Sequence, residues 1–241
     1  MKGRLVALSI PGIVTPGVLW AAESAKKVVD PVENWNHLWN EVLIDLFIMG
    51  TVFSVLAIHW LIKYKATSPD QVGRGPKLTR AQSWAWAMVP AFIFMADDFF
   101  LAAKGWTVWN IYRNVPDNAY EIKVTGNMWY WQFEYPNGVT TTYSYDTKEG
   151  DGLMVPVGTP VVLRMTSNDV IHSFGLPAYR VKEDVMPGRV TYIWFNPLEE
   201  KQTWVTCVEF CGVLHSQMYA PVKAVPRAKF DEWLQKKKST T

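Results

Sequence analysis

Cys207-Val-Glu209-Phe-Cys211-Gly-Val-Leu-His215-Ser-Gln-Met218 is the stretch around which the chain is organised, and it holds both cysteines of the 241-residue sequence. The cysteines stand four apart, a histidine follows four residues on, and a methionine three beyond that. Thiolate, imidazole and thioether donors suit a soft metal and do not suit magnesium or calcium. A loop of this kind needs a rigid frame that places its donors, and the surrounding sequence reads as strands.

From about Ala119 apolar and polar residues alternate in short runs bounded by Gly, Pro, Asn or Asp, the period of half-buried strands. Runs at 120–125, 128–135, 139–145, 153–157, 161–167, 189–196, 202–207 and 218–225 predict an antiparallel sandwich or Greek-key barrel. The tail from Pro226 predicts a short C-terminal helix with Phe230, Trp233 and Leu234 on one face and Lys236–Lys238 at its C-terminal end.

The first half differs. Trp39–Ile62 and Trp84–Leu101 are apolar runs, each long enough to cross a hydrocarbon core of about 30 Å. Glu41, Asp45 and His59 fall near the ends of the first; Asp97 and Asp98 fall inside the second, where a carboxylate avoids lipid by facing protein or by sitting at the interface. The intervening stretch at 63–83 holds Lys63, Lys65, Arg74, Lys77 and Arg80 against Asp70 alone. Short basic loops stay cytoplasmic. The expectation is a transmembrane hairpin over 39–106 with its loop inside and residues 107–241 outside. Residues 1–22 read as a signal peptide: Lys2 and Arg4 precede an apolar run broken by Pro11 and Pro16, and Ala21-Ala22 offers a cleavage site. The net charge of +2 gives no support to nucleic-acid binding. Thirteen Trp and ten Tyr fit a membrane-interface belt as well as a packed core.

Two cysteines in an outer domain could form a disulfide, but at this spacing it would close a very small loop and constrain little. Two unrelated buried thiols are the other plain reading. Neither accounts for His215 and Met218. A single blue-copper site takes one Cys, two His and a weak Met. His172, in Asp169-Val-Ile-His172-Ser at a predicted strand end before a Gly-Leu-Pro turn, is the available second histidine. Cys207 is then surplus and, left free beside copper, open to oxidation. If both thiolates bridge two coppers the surplus disappears: each metal has two shared sulfurs and one histidine, with Met218 and the Glu209 backbone carbonyl as weak axial ligands.

Cys-x-Glu-x-Cys-x-x-x-His-x-x-Met preceded by Asp-Val-x-His-Ser resembles the binuclear copper A site of the cytochrome c oxidase subunit II family. The two-helix hairpin, Trp129-Tyr130-Trp131, and Val181-Lys182-Glu183-Asp184 running into Pro187-Gly188-Arg189 extend the resemblance over most of the chain. The resemblance implies a cupredoxin-like barrel on the outer, periplasmic face of a bacterial-type membrane. It implies electrons taken from cytochrome c at Trp129 and passed through copper A to haem in subunit I, for reduction of oxygen to water. It further implies that Glu209 binds copper through its carbonyl and an interface magnesium through its side chain, and that Asp184 and Arg189 are structural residues near that interface. One position departs: the family has Glu-x-x-Trp before the proline of the second helix, where this chain has Ser83, Trp86 and Pro90. That puts the proton route beside it in question and leaves a divergent oxidase, or the copper A subunit of a nitric oxide reductase, as alternatives; a membrane-tethered copper-binding or delivery protein is a separate alternative, against which the full set of donors across two separated loops argues. The outer domain at 107–225 carries nine Lys and Arg against twelve Asp and Glu, so a mildly acidic face that steers a basic donor is also expected.

Overall fold

The structure, a computed structural model, describes residues 30–73 and 75–239; the predicted signal segment at 1–22 lies outside them. Two long helices come first. Helix α1 spans Pro31–Lys63, and Asp30 caps it by accepting a bond from the Val32 amide at 3.1 Å. Helix α2 spans Arg80–Arg113 and opens on a capping box in which Thr79 and Gln82 satisfy each other's amides. Each is about 50 Å long at 1.5 Å per residue, longer than a hydrocarbon core, so both continue past it. The apolar windows of both helices are unburied within the chain, so that surface needs lipid or a partner subunit to cover it. Their ionisable groups turn toward each other: Lys104 pairs with Glu41, Asp97 meets Asp45, and Phe53 stacks on Phe94 with centroids 6.5 Å apart.

Ten strands follow. They are β1 (Tyr120–Asn127), β2 (Tyr130–Glu134), β3 (Thr140–Thr142), β4 (Leu153–Pro156), β5 (Val161–Ser167), β6 (His172–Leu176), β7 (Val181–Val185), β8 (Thr191–Phe195), β9 (Lys201–Cys207) and β10 (Tyr219–Val225). They form two five-stranded sheets, ordered β3-β2-β1-β5-β8 and β4-β10-β9-β6-β7. Between the sheets lies one core: Ile122, Trp131, Phe133 and Leu163 from the first meet Phe174, Leu176, Val205 and Val222 from the second, all buried. Helix α3 (Arg227–Lys238) closes one end by burying Phe230 and Leu234, with Phe230 edge-on to Tyr120 at 5.4 Å.

The all-antiparallel expectation needs correction, because β1 pairs with β5 and β10 with β4 in parallel. Alternation of side chains reports a half-buried strand but not its direction. A second correction concerns β6. His172 begins this strand, and the expected Gly-Leu-Pro turn is instead its last two residues followed by a tight helical turn at Pro177–Tyr179. Every residue of β6 is buried, so no alternation marks it. Gly175 is needed there: a Cβ would lie 2.7 Å from the Val208 side chain.

Candidate metal centre

The start of β6 and the loop after β9 meet at one end of the second sheet, since these neighbouring inner strands pair at Phe174 and Cys207. His172 is fully buried, Cys207, Cys211 and Met218 nearly so, and His215 is half-buried. Cys207 Sγ lies 3.9 Å from His172 Nδ1, 3.7 Å from Cys211 Sγ and 3.2 Å from the Glu209 carbonyl oxygen. Cys211 Sγ lies 3.5 Å from His215 Nδ1 and 3.8 Å from Met218 Sδ. Six donors from two stretches of chain, His172 and the Cys207–Met218 loop, therefore converge, and both cysteines are free thiols. The loop is fixed by the Cys207 amide donating to the Met218 carbonyl at 2.9 Å, and by a helical turn at His215–Gln217.

The surroundings orient these donors. Asp169 Oδ1 accepts from His172 Nε2 at 2.8 Å, which leaves Nδ1 directed at Cys207. The same carboxylate accepts from the Met128 amide through its other oxygen at 2.6 Å. Gly126 makes room for the imidazole, since a Cβ there would lie 2.9 Å from His172 Cδ2. Trp131 meets the ring edge-on with centroids 5.9 Å apart. Burial opposes charge on Asp169, but the hydrogen bonds from His172 and the Met128 amide outweigh it and hold its carboxyl below the ordinary range.

The two thiols differ. Burial disfavours the Cys207 thiolate, yet the His172 contact and neighbouring backbone amides bring its titration below the usual thiol value. Cys211 is pushed up by burial and then by the charge of Cys207 beside it. The cluster thus accepts one negative charge readily and resists a second. A pair of bound cations removes that resistance, so two thiolates, two imidazoles, a thioether and a carbonyl fit soft copper ions.

Trp129 sits over this cluster. Its indole N–H donates to the Cys211 carbonyl at 3.2 Å, and Gly212 packs against its ring. It is half-buried and lines a cleft of about 420 Å³ with apolar and aromatic side chains such as Met128, Tyr143 and Leu214 and polar ones such as Ser144, Asp146 and Gln217. Asp169 is the functional residue that sequence reasoning missed. Its place three residues before His172 is the signal in the sequence that points to it. The other expected positions do not join the cluster. The Glu209 side chain is exposed. Asp184 lies half-buried in β7 opposite Ser173, and Arg189 is exposed. Ser83 lies in the first turn of α2, its Oγ donating to the Thr79 carbonyl at 3.1 Å.

Together these features define a β-sandwich bearing a soft-metal loop and joined to two helices long and apolar enough to cross a membrane. A family model described as "Cytochrome C oxidase subunit II, periplasmic domain" matches residues 140–225. Cytochrome c oxidase subunit 2 of Cereibacter sphaeroides is 31% identical over 266 residues, covering 98% of this chain and 85% of that protein. The alternative cytochrome c oxidase subunit 2 of Bradyrhizobium diazoefficiens is 27% identical, over 86% of this chain and 82% of that protein. Among solved structures, the periplasmic domain of subunit II of cytochrome oxidase of Bradyrhizobium japonicum matches at 32% identity with a TM-score of 0.49, covering 53% of this chain and 99% of that one. The chain belongs to the cytochrome c oxidase subunit II family, and so to a subunit of an oxidoreductase complex.

Proposed function

We propose that this chain is the subunit through which electrons enter a haem-copper oxidase. In this reading His172, Cys207, Cys211, His215, Met218 and the Glu209 carbonyl hold two copper ions on the outer, periplasmic face. The electrons come from cytochrome c and leave for haem in subunit I, where oxygen is reduced. When bound, copper ions held by these donors would supply one-electron redox chemistry. The chain's own residues do the rest. Asp169 fixes the His172 ring, β9 and the loop it opens fix the two sulfurs, and the buried surroundings exclude water. Trp129 links the surface to Cys211 through one hydrogen bond, and that contact is the observation that carries the reading. The exposed Glu209 side chain is free to reach a magnesium ion at the boundary with subunit I. The relatives named above are oxidase subunits, which supports oxygen rather than nitric oxide as the acceptor.

The test uses the full chain in detergent, loaded with copper. It should be purple and show an EPR signal from one electron shared by two coppers; a blue protein with one copper overturns the binuclear reading. Cys207→Ser should collapse the signal to that of a single copper, and an unchanged spectrum would count against bridging. Trp129→Ala should keep the spectrum and slow reduction by cytochrome c. Unaltered turnover would remove Trp129 from the path.

A further inference from the structure

A second cavity, of about 270 Å³, lies where the outer ends of α1 and α2 meet β7 and β8. These are edge strands, one from each sheet, so the cavity sits on the seam of the sandwich. Its walls include the rings of Trp35, Trp109 and Tyr192, and its cations are Arg113, Arg180 and Lys182. Arg113 has an acid of its own, Glu183 at 3.0 Å. Arg180 and Lys182 are exposed, and neither has an ion-pair partner among the described residues. The Tyr112 hydroxyl donates to the Pro31 carbonyl at 3.3 Å and fixes the two helix ends side by side.

Arg180 also occupies a costly conformation. It closes the tight turn at Pro177–Tyr179 in the left-handed region, with φ 56°, a position that Gly or Asn fills at less cost. A long cation kept on such a backbone points to a use for its side chain.

The cavity stands at the height of lipid head groups. At 1.5 Å per residue, a hydrocarbon core of about 30 Å that begins at Trp60 and Trp84 ends about 20 residues on, near Asn40 and Lys104. Trp35 and Trp109 lie about 8 Å further out, within a head-group layer of about 5–8 Å on each side. They are 37 and 50% exposed, as indoles at a membrane interface are. The apolar windows of both helices, on the membrane side of this cavity, are uncovered within the chain.

We propose that this cavity holds the head group of an anionic phospholipid of the outer leaflet. Its phosphate lies on Arg180 and Lys182, its glycerol region against Trp35 and Trp109, and its acyl chains along the uncovered helix faces. The site rests on the membrane-spanning, outer-face placement proposed above. The order of the groups carries it: two cations without acids, then amphipathic rings, then an apolar helix surface, which is the order of charge and apolarity along a phospholipid. A free phosphate would use the cations alone.

The experiment takes the purified complex containing this chain and titrates it in detergent with phosphatidylglycerol or phosphatidylcholine, counting bound lipid by native mass spectrometry. One phosphatidylglycerol should bind in preference to phosphatidylcholine. The double substitution Arg180→Gln with Lys182→Gln should weaken it about 10–30-fold and leave the copper EPR signal unchanged. Arg180→Gly relieves the left-handed backbone, so its thermal midpoint should be no lower than the parent's while lipid affinity still falls about fivefold. Excess glycerol phosphate, the head group without chains, should leave the lipid in place. Equal binding of phosphatidylcholine, parent-like affinity in the double variant, or displacement by glycerol phosphate overturns the proposal. A membrane-impermeant lysine reagent applied to intact spheroplasts tests the placement separately. Sandwich lysines that stay unlabelled remove the placement and the site together; labelled lysines with no lipid preference remove the site alone.

Discussion

Asp169 shows how much of the site depends on one side chain that is not a ligand. Its carboxylate collects the His172 imidazole, the Met128 amide and the Val170 amide, at 2.8, 2.6 and 2.6 Å. Met128 precedes Trp129, whose indole returns to Cys211. One carboxylate therefore joins His172 to the backbone that carries Trp129. Asp169→Asn should keep the volume but exchange an acceptor for a donor at one position. Copper affinity should fall about 10–100-fold, as for other residues that orient a ligand, and this is read by competition with a chelator of known affinity. Because the Asp169 carboxyl is held below its ordinary value of 3.8, its stabilisation is present at neutral pH. It is lost as the pH falls through that lowered value. The metal-free variant should accordingly be less stable at pH 7 and lose less on acidification than the parent, as measured by urea midpoints at both ends.

At the scale of elements, alternation in the sequence located the strands whose two faces differ. Tyr120–Asn127 and Val161–Ser167 bury alternate residues along part of their length, and both were legible. β6 was not, because all five of its residues are buried and they include a histidine, a serine and a glycine. Its identity comes from what lies beside it: Gly175 admits Val208, and the Val208 amide donates to the Ser173 carbonyl at 2.9 Å. The convergence of His172 on the Cys207–Met218 loop, by contrast, was legible because all but one of the soft donors are clustered in that loop. The parallel pairs β1–β5 and β4–β10 join segments far apart in the chain, and no local pattern encodes them. Gly175→Ala tests the account of β6. The new methyl meets the Val208 side chain at 2.7 Å and should cost about 1–3 kcal/mol as overpacking. Val208→Ala in the same chain should recover most of that loss. Urea unfolding of the single and double variants measures both, and a single variant as stable as the parent contradicts the packing argument.

At the scale of the molecule, the proposed function requires the cysteine-rich end of the sandwich to be held at a fixed height relative to the two apolar helices. Helix α2 does this by running on past its apolar stretch to Arg113, where β8 bolts it down. Trp194 Nε1 donates to the Ile111 carbonyl at 3.1 Å, and the Tyr192 hydroxyl donates to the Arg113 carbonyl at 3.2 Å. The Arg113 guanidinium lies 4.3 Å over the Trp109 ring and pairs with Glu183 on β7 at 3.0 Å. Stacking and a partly buried ion pair together resist tilting of the domain on its stalk. None of these groups touches the metal cluster, so the joint separates positioning from ligation. Arg113→Ala should leave the copper spectrum and reduction by the donor unchanged, since Trp129 travels with the sandwich. Transfer from copper to the partner's haem should slow about tenfold, because small displacements of a redox pair are costly. Time-resolved absorbance after rapid reduction of the copper separates the two steps. Equal slowing of both would mean that the substitution disturbs the sandwich itself; slowing of neither would mean that the two backbone-directed bonds from Trp194 and Tyr192 hold the joint alone.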